Sequence, residues 1–254
     1  MSKKIRLISR LDIKGPNVIK GIQMEGLRIV GKPETLAPKY YAEGADEILF
    51  IDTVASLYQR DNLLQIVRNT AENTFIPITA GGGVRAVEDV RKLLHAGADK
   101  VALNTAVIDN PNLVRDCAQL YGSQCIVLSV QAKKISDDRW EVYTDGGREK
   151  TGLDVMDWIK KAVDLGVGEI LLTSVDRDGV KKGFDVDLAE KVCKSVSIPV
   201  IVSGGAGTPE HIEEVVRRAN PDAVAVGSML HYGIMSLGEI KQYLVEKKIN
   251  VRLK

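Results

Sequence analysis

The 254-residue sequence predicts an α/β fold, a single (β/α)8 TIM barrel over residues 1–254 built from two tandem half-barrels, about 1–121 and 122–254. Three observations predict it. Eight short β-branched runs alternate with segments of helical period, as repeated β-α units around a parallel sheet require. No Pro/Ser-rich linker breaks the alternation, and α/β barrels commonly fill this length as one unit. The chain also repeats itself: "IPITAGGGVRAVEDVRKLLHAGADKVALNTAV" from Ile76 lies over "IPVIVSGGAGTPEHIEEVVRRANPDAVAVGSML" from Ile198, and "ADEILFIDTVAS" lies over "VGEILLTSVDRDG".

The elements follow in order. "IRLISRL" is the first strand, and helical period begins at Pro33 and runs to Glu43. "EILFI" precedes a helix over Asn62 to Asn73, and "IPITA" one over Val87 to Ala96. "KVALN" leads to the helix of Asn112 to Tyr121, which closes the first half. The second half opens with "CIVLSV" and a helix from Asp154 to Leu165. "EILLTS", "IPVIVS" and "AVAVG" then pair with helices over Leu188 to Ser195, Pro209 to Arg218 and Leu237 to Lys247. An open doubly wound sheet competes with the barrel, but its G-x-G-x-x-G fingerprint is missing after the first strand, where only Gly15 and Gly21 occur.

Formal net charge is +1, from 35 basic and 34 acidic residues, so nothing points to nucleic acid or an anionic membrane as partner. Cys117, Cys125 and Cys193 are odd in number and lack C-x-x-C spacing, which reads as free thiols in a reducing, cytoplasmic compartment. The N-terminus is too short in apolar length for a signal peptide, and no stretch approaches a membrane span.

In a barrel, chemistry belongs at the carboxyl ends of the strands. Glycine clusters fall there in both halves. Gly82 and Gly83 follow strand three, with Asn104 and Thr105 after strand four. Gly204 and Gly205 follow strand seven, with Gly227 and Ser228 after strand eight. Glycine admits a phosphate close to backbone N–H groups, so the duplication predicts two anion sites and a ligand with a phosphate at each end. A lone Gly-Gly would be only a tight turn.

Asp12, Asp52, Asp176 and Asp178 also stand at or beyond strand ends. For Asp52 and Asp176 a cap or turn role is the expectation. Asp12 is expected to face an empty ligand space as an acid or base, and "DRDG", with Asp178 and Gly179, has the composition of a phosphate-proximal turn. At the position matching Asp12 in the second half stands Gln131. His95, His211 and His231 have no carboxylate or cysteine at metal spacing, so neither a metal nor another cofactor is expected. Arg6, Glu47, Lys100 and Glu169 mark strand starts at the opposite end, where spacing alone reads them as a solvated rim.

"LD-K" at Leu11 to Lys14, "VIKG" at Val18 to Gly21, "GADKV-LNTA" at Gly97 to Ala106, "YGSQ" at Tyr121 to Gln124, "GEILLTS-DRDG" at Gly168 to Gly179, "SGGAG" at Ser203 to Gly207 and the final "NVRL" carry a resemblance. Over essentially its whole length the chain resembles the cyclase subunit of imidazole glycerol phosphate synthase, and is HisF-like. The resemblance implies a heterodimer with a HisH-like glutaminase subunit on the lower face. Ammonia would pass up the barrel to a bisphosphorylated ribulosyl formimino intermediate, giving imidazole glycerol phosphate and an aminoimidazole carboxamide ribotide in histidine biosynthesis. It also implies that Arg6, Glu47, Lys100 and Glu169 form a charged ammonia gate, reversing the rim reading. Lys20, Asn104, Thr173 and Asp178 match active-site positions.

The family uses two aspartates, and Gln131 occupies the second position. An amide offers hydrogen bonds but does not exchange protons near neutral pH. "SRLDIKGPN" also lacks the more usual cysteine before the Leu-Asp pair and the acidic residue after the lysine. Two readings stay open. In one, the chain is a cyclase in which Asp12 carries the proton transfers and Gln131 positions substrate. In the other, it is a paralogue that channels ammonia to a sugar amidotransferase of surface-polysaccharide biosynthesis, without cyclase activity.

Overall fold

The computed structural model describes residues 3–53 and 61–253. Strand β1 (Arg6–Lys14) continues into a hairpin, β2 (Asn17–Ile22) and β3 (Glu25–Gly31), before α1 (Pro33–Ala42). Then come β4 (Glu47–Asp52), α2 (Asp61–Asn73), β5 (Ile78–Gly81), α3 (Val87–His95) and β6 (Lys100–Leu103), followed by α4 (Thr105–Asp109) and α5 (Asn112–Tyr121). The second half mirrors that order. Strand β7 (Ile126–Ser136) carries a second hairpin, β8 (Arg139–Thr144) and β9 (Glu149–Asp154), and α6 (Val155–Asp164) follows. The chain ends with β10 (Glu169–Ser174), α7 (Val186–Ser195), β11 (Val200–Ser203), α8 (Pro209–Ala219), β12 (Ala223–Val226), α9 (Ser228–His231) and α10 (Leu237–Glu246).

Eight of these strands pair in parallel, in the ring β1, β4, β5, β6, β7, β10, β11, β12, which closes because β1 also pairs β12 and β7 also pairs β10. The expected (β/α)8 barrel is therefore present. Side chains alternate across each strand, so one set packs outward on the helices in the main core, including Leu7, Leu11, Phe50 and Leu172. The other set fills the barrel, where Ile8, Leu49, Ala102, Val127, Leu171, Ile201, Ala223 and Ala225 form a separate apolar cluster.

Acidic residues at strand entries close three seams. Asp46 Oδ2 accepts the Leu7 N–H at 2.8 Å, Asp99 Oδ2 that of Ile78 at 2.8 Å, and Asp222 Oδ2 that of Val200 at 2.9 Å. Each satisfies a backbone donor at the lower end of a strand, a group that is costly to bury unpaired. Asp46 also pairs Lys241 Nζ at 2.8 Å, both side chains under a tenth exposed, which pins α10 across the entry of β4.

Eight strands were expected, and twelve are found among the described residues. The four additional ones are the two antiparallel hairpins. Although β2 and β8 are mostly buried, their polar or glycine-interrupted sequences, and those of the largely exposed β3 and β9, lack the apolar runs that mark buried parallel strands. The short α4 and α9 are likewise beyond reach of a 3.6-residue period. Within the repeat read from residue 45 to 56, residues 54–56 lie outside the described residues. No helix among the described residues is long and apolar enough to cross a membrane.

Candidate active site

Because β1 alternates, Arg6, Ile8, Arg10 and Asp12 point into the barrel one above another. Arg6 forms the lowest layer with residues from three other strands. Its Nη1 and Nη2 donate to Glu47 and Glu169 at 2.7 and 2.5 Å, and Lys100 Nζ donates to the same two carboxylates at 2.8 and 2.6 Å. Four charges of alternating sign make a closed ring. Glu47 is 1% exposed and takes a further hydrogen bond from Thr79. The rim expected from spacing is thereby corrected: the barrel's narrowness brings the four entries within pairing distance. Burial opposes the Arg6 charge, but Glu169 and Glu47 outweigh it and raise its pKa.

At the carboxyl ends of the strands a second charge cluster forms. Arg10 Nε donates to Asp12 Oδ1 at 2.9 Å, and Lys20 Nζ to Asp12 Oδ2 at 3.0 Å and to Asp178 at 2.8 and 3.0 Å. Lys20 reaches the mouth because β2 folds back on β1, with Asp12 opposite Ile19. Asp178 is presented by the turn after β10, where its N–H donates to the Ser174 carbonyl at 3.0 Å. Burial would raise the Asp12 carboxyl, yet the charges and hydrogen bonds of Arg10 and Lys20 hold it far below the usual carboxylate range. Lys20 is raised against its own burial by Asp12 and Asp178.

A cavity of about 450 Å³ opens over this cluster, lined by Asp12, Asp178, Gln131, Asn104 and Thr105 and by the glycine turn of Gly82 and Gly83. A smaller depression beside it is lined by Lys20, Gly179, Gly204, Gly205, Gly227 and Ser228. Arg10 lines both. Gly82 (φ +103°) and Gly205 (φ +120°) are held left-handed, and a Cβ there would fall 2.1 Å from the Asp52 carbonyl and 2.2 Å from that of Gly183. Only glycine fits so close a backbone approach. Asn104 Oδ1 is buried without a hydrogen-bond partner, the mark of an acceptor that a ligand donor would satisfy. Among the described residues no group of three or more His, Cys, Asp or Glu side chains could hold a metal.

Apart from the four ring residues, the candidate site residues read from sequence thus gather at one mouth, with two differences. Asp12 lines the cavity, yet both its oxygens are already engaged by cations. Gln131 does not project freely either, because its Oε1 accepts the Gly147 N–H at 2.7 Å and so holds the turn between β8 and β9. Asp176, read from sequence as a cap or turn residue, accepts the Lys134 N–H on its Oδ2 at 2.8 Å.

Sequence reasoning missed Arg10, which stands immediately before the Leu-Asp pair. Its Nη1 also donates to Thr173 Oγ1 at 2.9 Å and Ser203 Oγ at 3.0 Å, and the residue is 5% exposed. The signal was available in the alternation of β1, which turns every second residue inward. His231 was missed with it. Its ring lies 3.0 Å from the Arg10 carbonyl and 2.8 Å from the Tyr40 hydroxyl. A carbonyl only accepts, so Nε2 carries the proton and Nδ1 accepts from Tyr40. Burial chiefly lowers its pKa to about 4, keeping the ring neutral.

Fold and site define a class: a (β/α)8 barrel with a polar, charge-lined mouth at the carboxyl ends of its strands and an ion ring closing the other end. Residues 6–236 match the family model described as "Histidine biosynthesis protein", and the chain belongs to that family, as a HisF-like member. It is 60% identical over 206 residues to the imidazole glycerol phosphate synthase subunit HisF of Legionella pneumophila, a match covering 81% of this chain and 97% of the relative.

Proposed function

We propose that the chain is the cyclase subunit of a glutamine-dependent imidazole glycerol phosphate synthase. Ammonia from a HisH-like glutaminase on the lower face enters at the ring of Arg6, Glu47, Lys100 and Glu169, crosses the apolar layer and reaches the mouth. There it cleaves and cyclises a bisphosphorylated formimino intermediate into imidazole glycerol phosphate and an aminoimidazole carboxamide ribotide. The observation that carries this reading is the stacking, inside one barrel, of ion ring, apolar layer and polar cavity. Neutral ammonia can cross an apolar layer, whereas ammonium is held back by desolvation.

The two ends of the substrate are assigned to the two glycine turns, at Gly82 and Gly83 and at Gly204 and Gly205, the second of which, about 10 Å³ as it stands, has to open to admit a phosphate. Asn104 and Gly227, at matching places beyond β6 and β12, adopt similar backbone angles, φ −136°, ψ −91° and φ −121°, ψ −72°. This agreement supports tandem half-barrels, about 1–121 and 122–254. Asp12, ionised across the physiological range, serves as the base, Lys20 orients it, and Gln131 positions substrate or the hairpin above it. The reaction asks for no cofactor, and a cytoplasmic location suits it.

Purified protein supplied with ammonium salt and the bisphosphate intermediate should form imidazole glycerol phosphate, and Asp12→Asn should slow its formation about 10²–10⁴-fold. Absence of turnover at high ammonium would remove this reading.

A second reading is favoured by the state of the two residues expected to move protons. One carboxylate is saturated by Arg10 and Lys20, and its counterpart is an amide committed to Gly147. Here the barrel conducts ammonia from its glutaminase to another acceptor, a sugar amidotransferase of surface-polysaccharide assembly, without cyclising anything. Turnover created by Gln131→Asp in an otherwise inactive protein would support it.

A further inference from the structure

The ion ring closes the barrel below, and one side chain spans it above. Arg10 follows Ile8 in the inward series of β1, and Ile8 belongs to the apolar layer. The two hydroxyls that accept from Arg10, on Thr173 and Ser203, stand two residues beyond Leu171 and Ile201, which belong to the same layer. Two residues of strand rise about 6.6 Å, so the guanidinium lies one storey above that layer. From β1 it reaches past β12 to β11 and β10, across the barrel and not along its wall. Asp12 fixes it from above.

We propose that Arg10 is a further substrate-binding residue that acts as a cap. With the mouth empty it closes the upper end of the apolar layer, and a phosphate-type anion in the depression at Gly204, Gly205 and Ser228 draws it aside. The exchange is favourable on chemical grounds. Arg10 gives up two neutral hydroxyl acceptors and gains a dianion whose oxygens match its fork of donors. Asp12 keeps Lys20 throughout, so no buried carboxylate is left unpaired. Arg10 already lines that depression as well as the larger cavity, and the depression, about 10 Å³ as it stands, gains room for a phosphate when the Arg10 side chain moves. The inference rests on the ammonia reading for what the cap restrains: ammonia would be released only to an occupied mouth.

Inorganic phosphate is the probe. Calorimetric titration of the whole chain should detect binding, weakened roughly tenfold in Arg10→Ser, the loss of a charge-assisted bidentate contact. Arg10→Lys, which keeps the charge but not the fork, should fall between. In crystals soaked with phosphate, Nη1 should leave Thr173 and Ser203 and bond the anion. Equal affinity in wild type and Arg10→Ser, no detectable binding, or phosphate in the depression with Arg10 still on both hydroxyls would each overturn the proposal. The wild-type soak needs no variant, so a poorly folded Arg10→Ser does not shelter it. Neither measurement uses a glutaminase or turnover, so an immobile Arg10 is distinguishable from a barrel that does not conduct ammonia.

Discussion

At the mouth, protonation is decided by immediate neighbours. Asp12 stays ionised because two buried cations outweigh the cost of burying it. Asp12→Asn keeps the shape but removes the charge that Arg10 and Lys20 share, so a drop in turnover of about 10²–10⁴ is expected from ammonium-driven assays if it is the base. His231 supplies a prediction without substrate. Its folded pKa of about 4 lies below the ordinary 6.5, so between those values the unfolded chain binds more protons. Stability should therefore decline as pH falls from about 6.5 to about 4, by roughly 3 kcal/mol from this residue. Melting temperature followed across that window should slope less in His231→Gln; equal slopes would sink the assignment. Of these residues, Asp12 and Gln131 were legible because the internal sequence repeat aligns them. Strand alternation could place Arg10 inside the barrel, but not its contacts with Thr173 and Ser203 or that of His231 with the Arg10 carbonyl, which span 163 to 221 positions of the chain.

Among the elements, turns and seams do more than helices to shape the site. Gly205 is left-handed with its Cβ direction blocked by the Gly183 carbonyl. Gly205→Ala should cost roughly 2–3 kcal/mol in denaturant unfolding and weaken phosphate binding together. Lys241→Met should cost about 3 kcal/mol, because it strands the Asp46 carboxylate in a buried seam with only the Leu7 N–H. Unchanged unfolding midpoints would count against either account. The eight parallel strands announced themselves through apolar runs. The hairpins that deliver Lys20 and receive Gln131 did not, because Lys20 and Gly21 interrupt β2 and charged residues interrupt β8 and β9, leaving no apolar run.

For the whole molecule, the two ends of the barrel should be separable by mutation. Lys100→Ala breaks the ring without touching the mouth, some three side-chain layers away. With a glutaminase partner it should reduce glutamine-driven product while leaving ammonium-driven product nearly intact. Equal losses in both assays would argue against passage through the barrel. Arg6, Glu47, Lys100 and Glu169 illustrate the limit of sequence at this scale, since they are 163 positions apart at the extremes and spacing alone described them as rim. Only closure of the sheet brings them into contact.

By itself the sequence determined the alternation of strands and helices, the duplicated glycine turns and the alignment of Gln131 with Asp12 in the internal repeat, because all three are patterns along the chain. Tertiary structure decided the ring of four charges, the saturation of Asp12 and the reach of Arg10 across the interior. The physical reason is distance. Coulombic and hydrogen-bond energies act within a few ångströms of space, and barrel closure alone fixes which distant residues come that near.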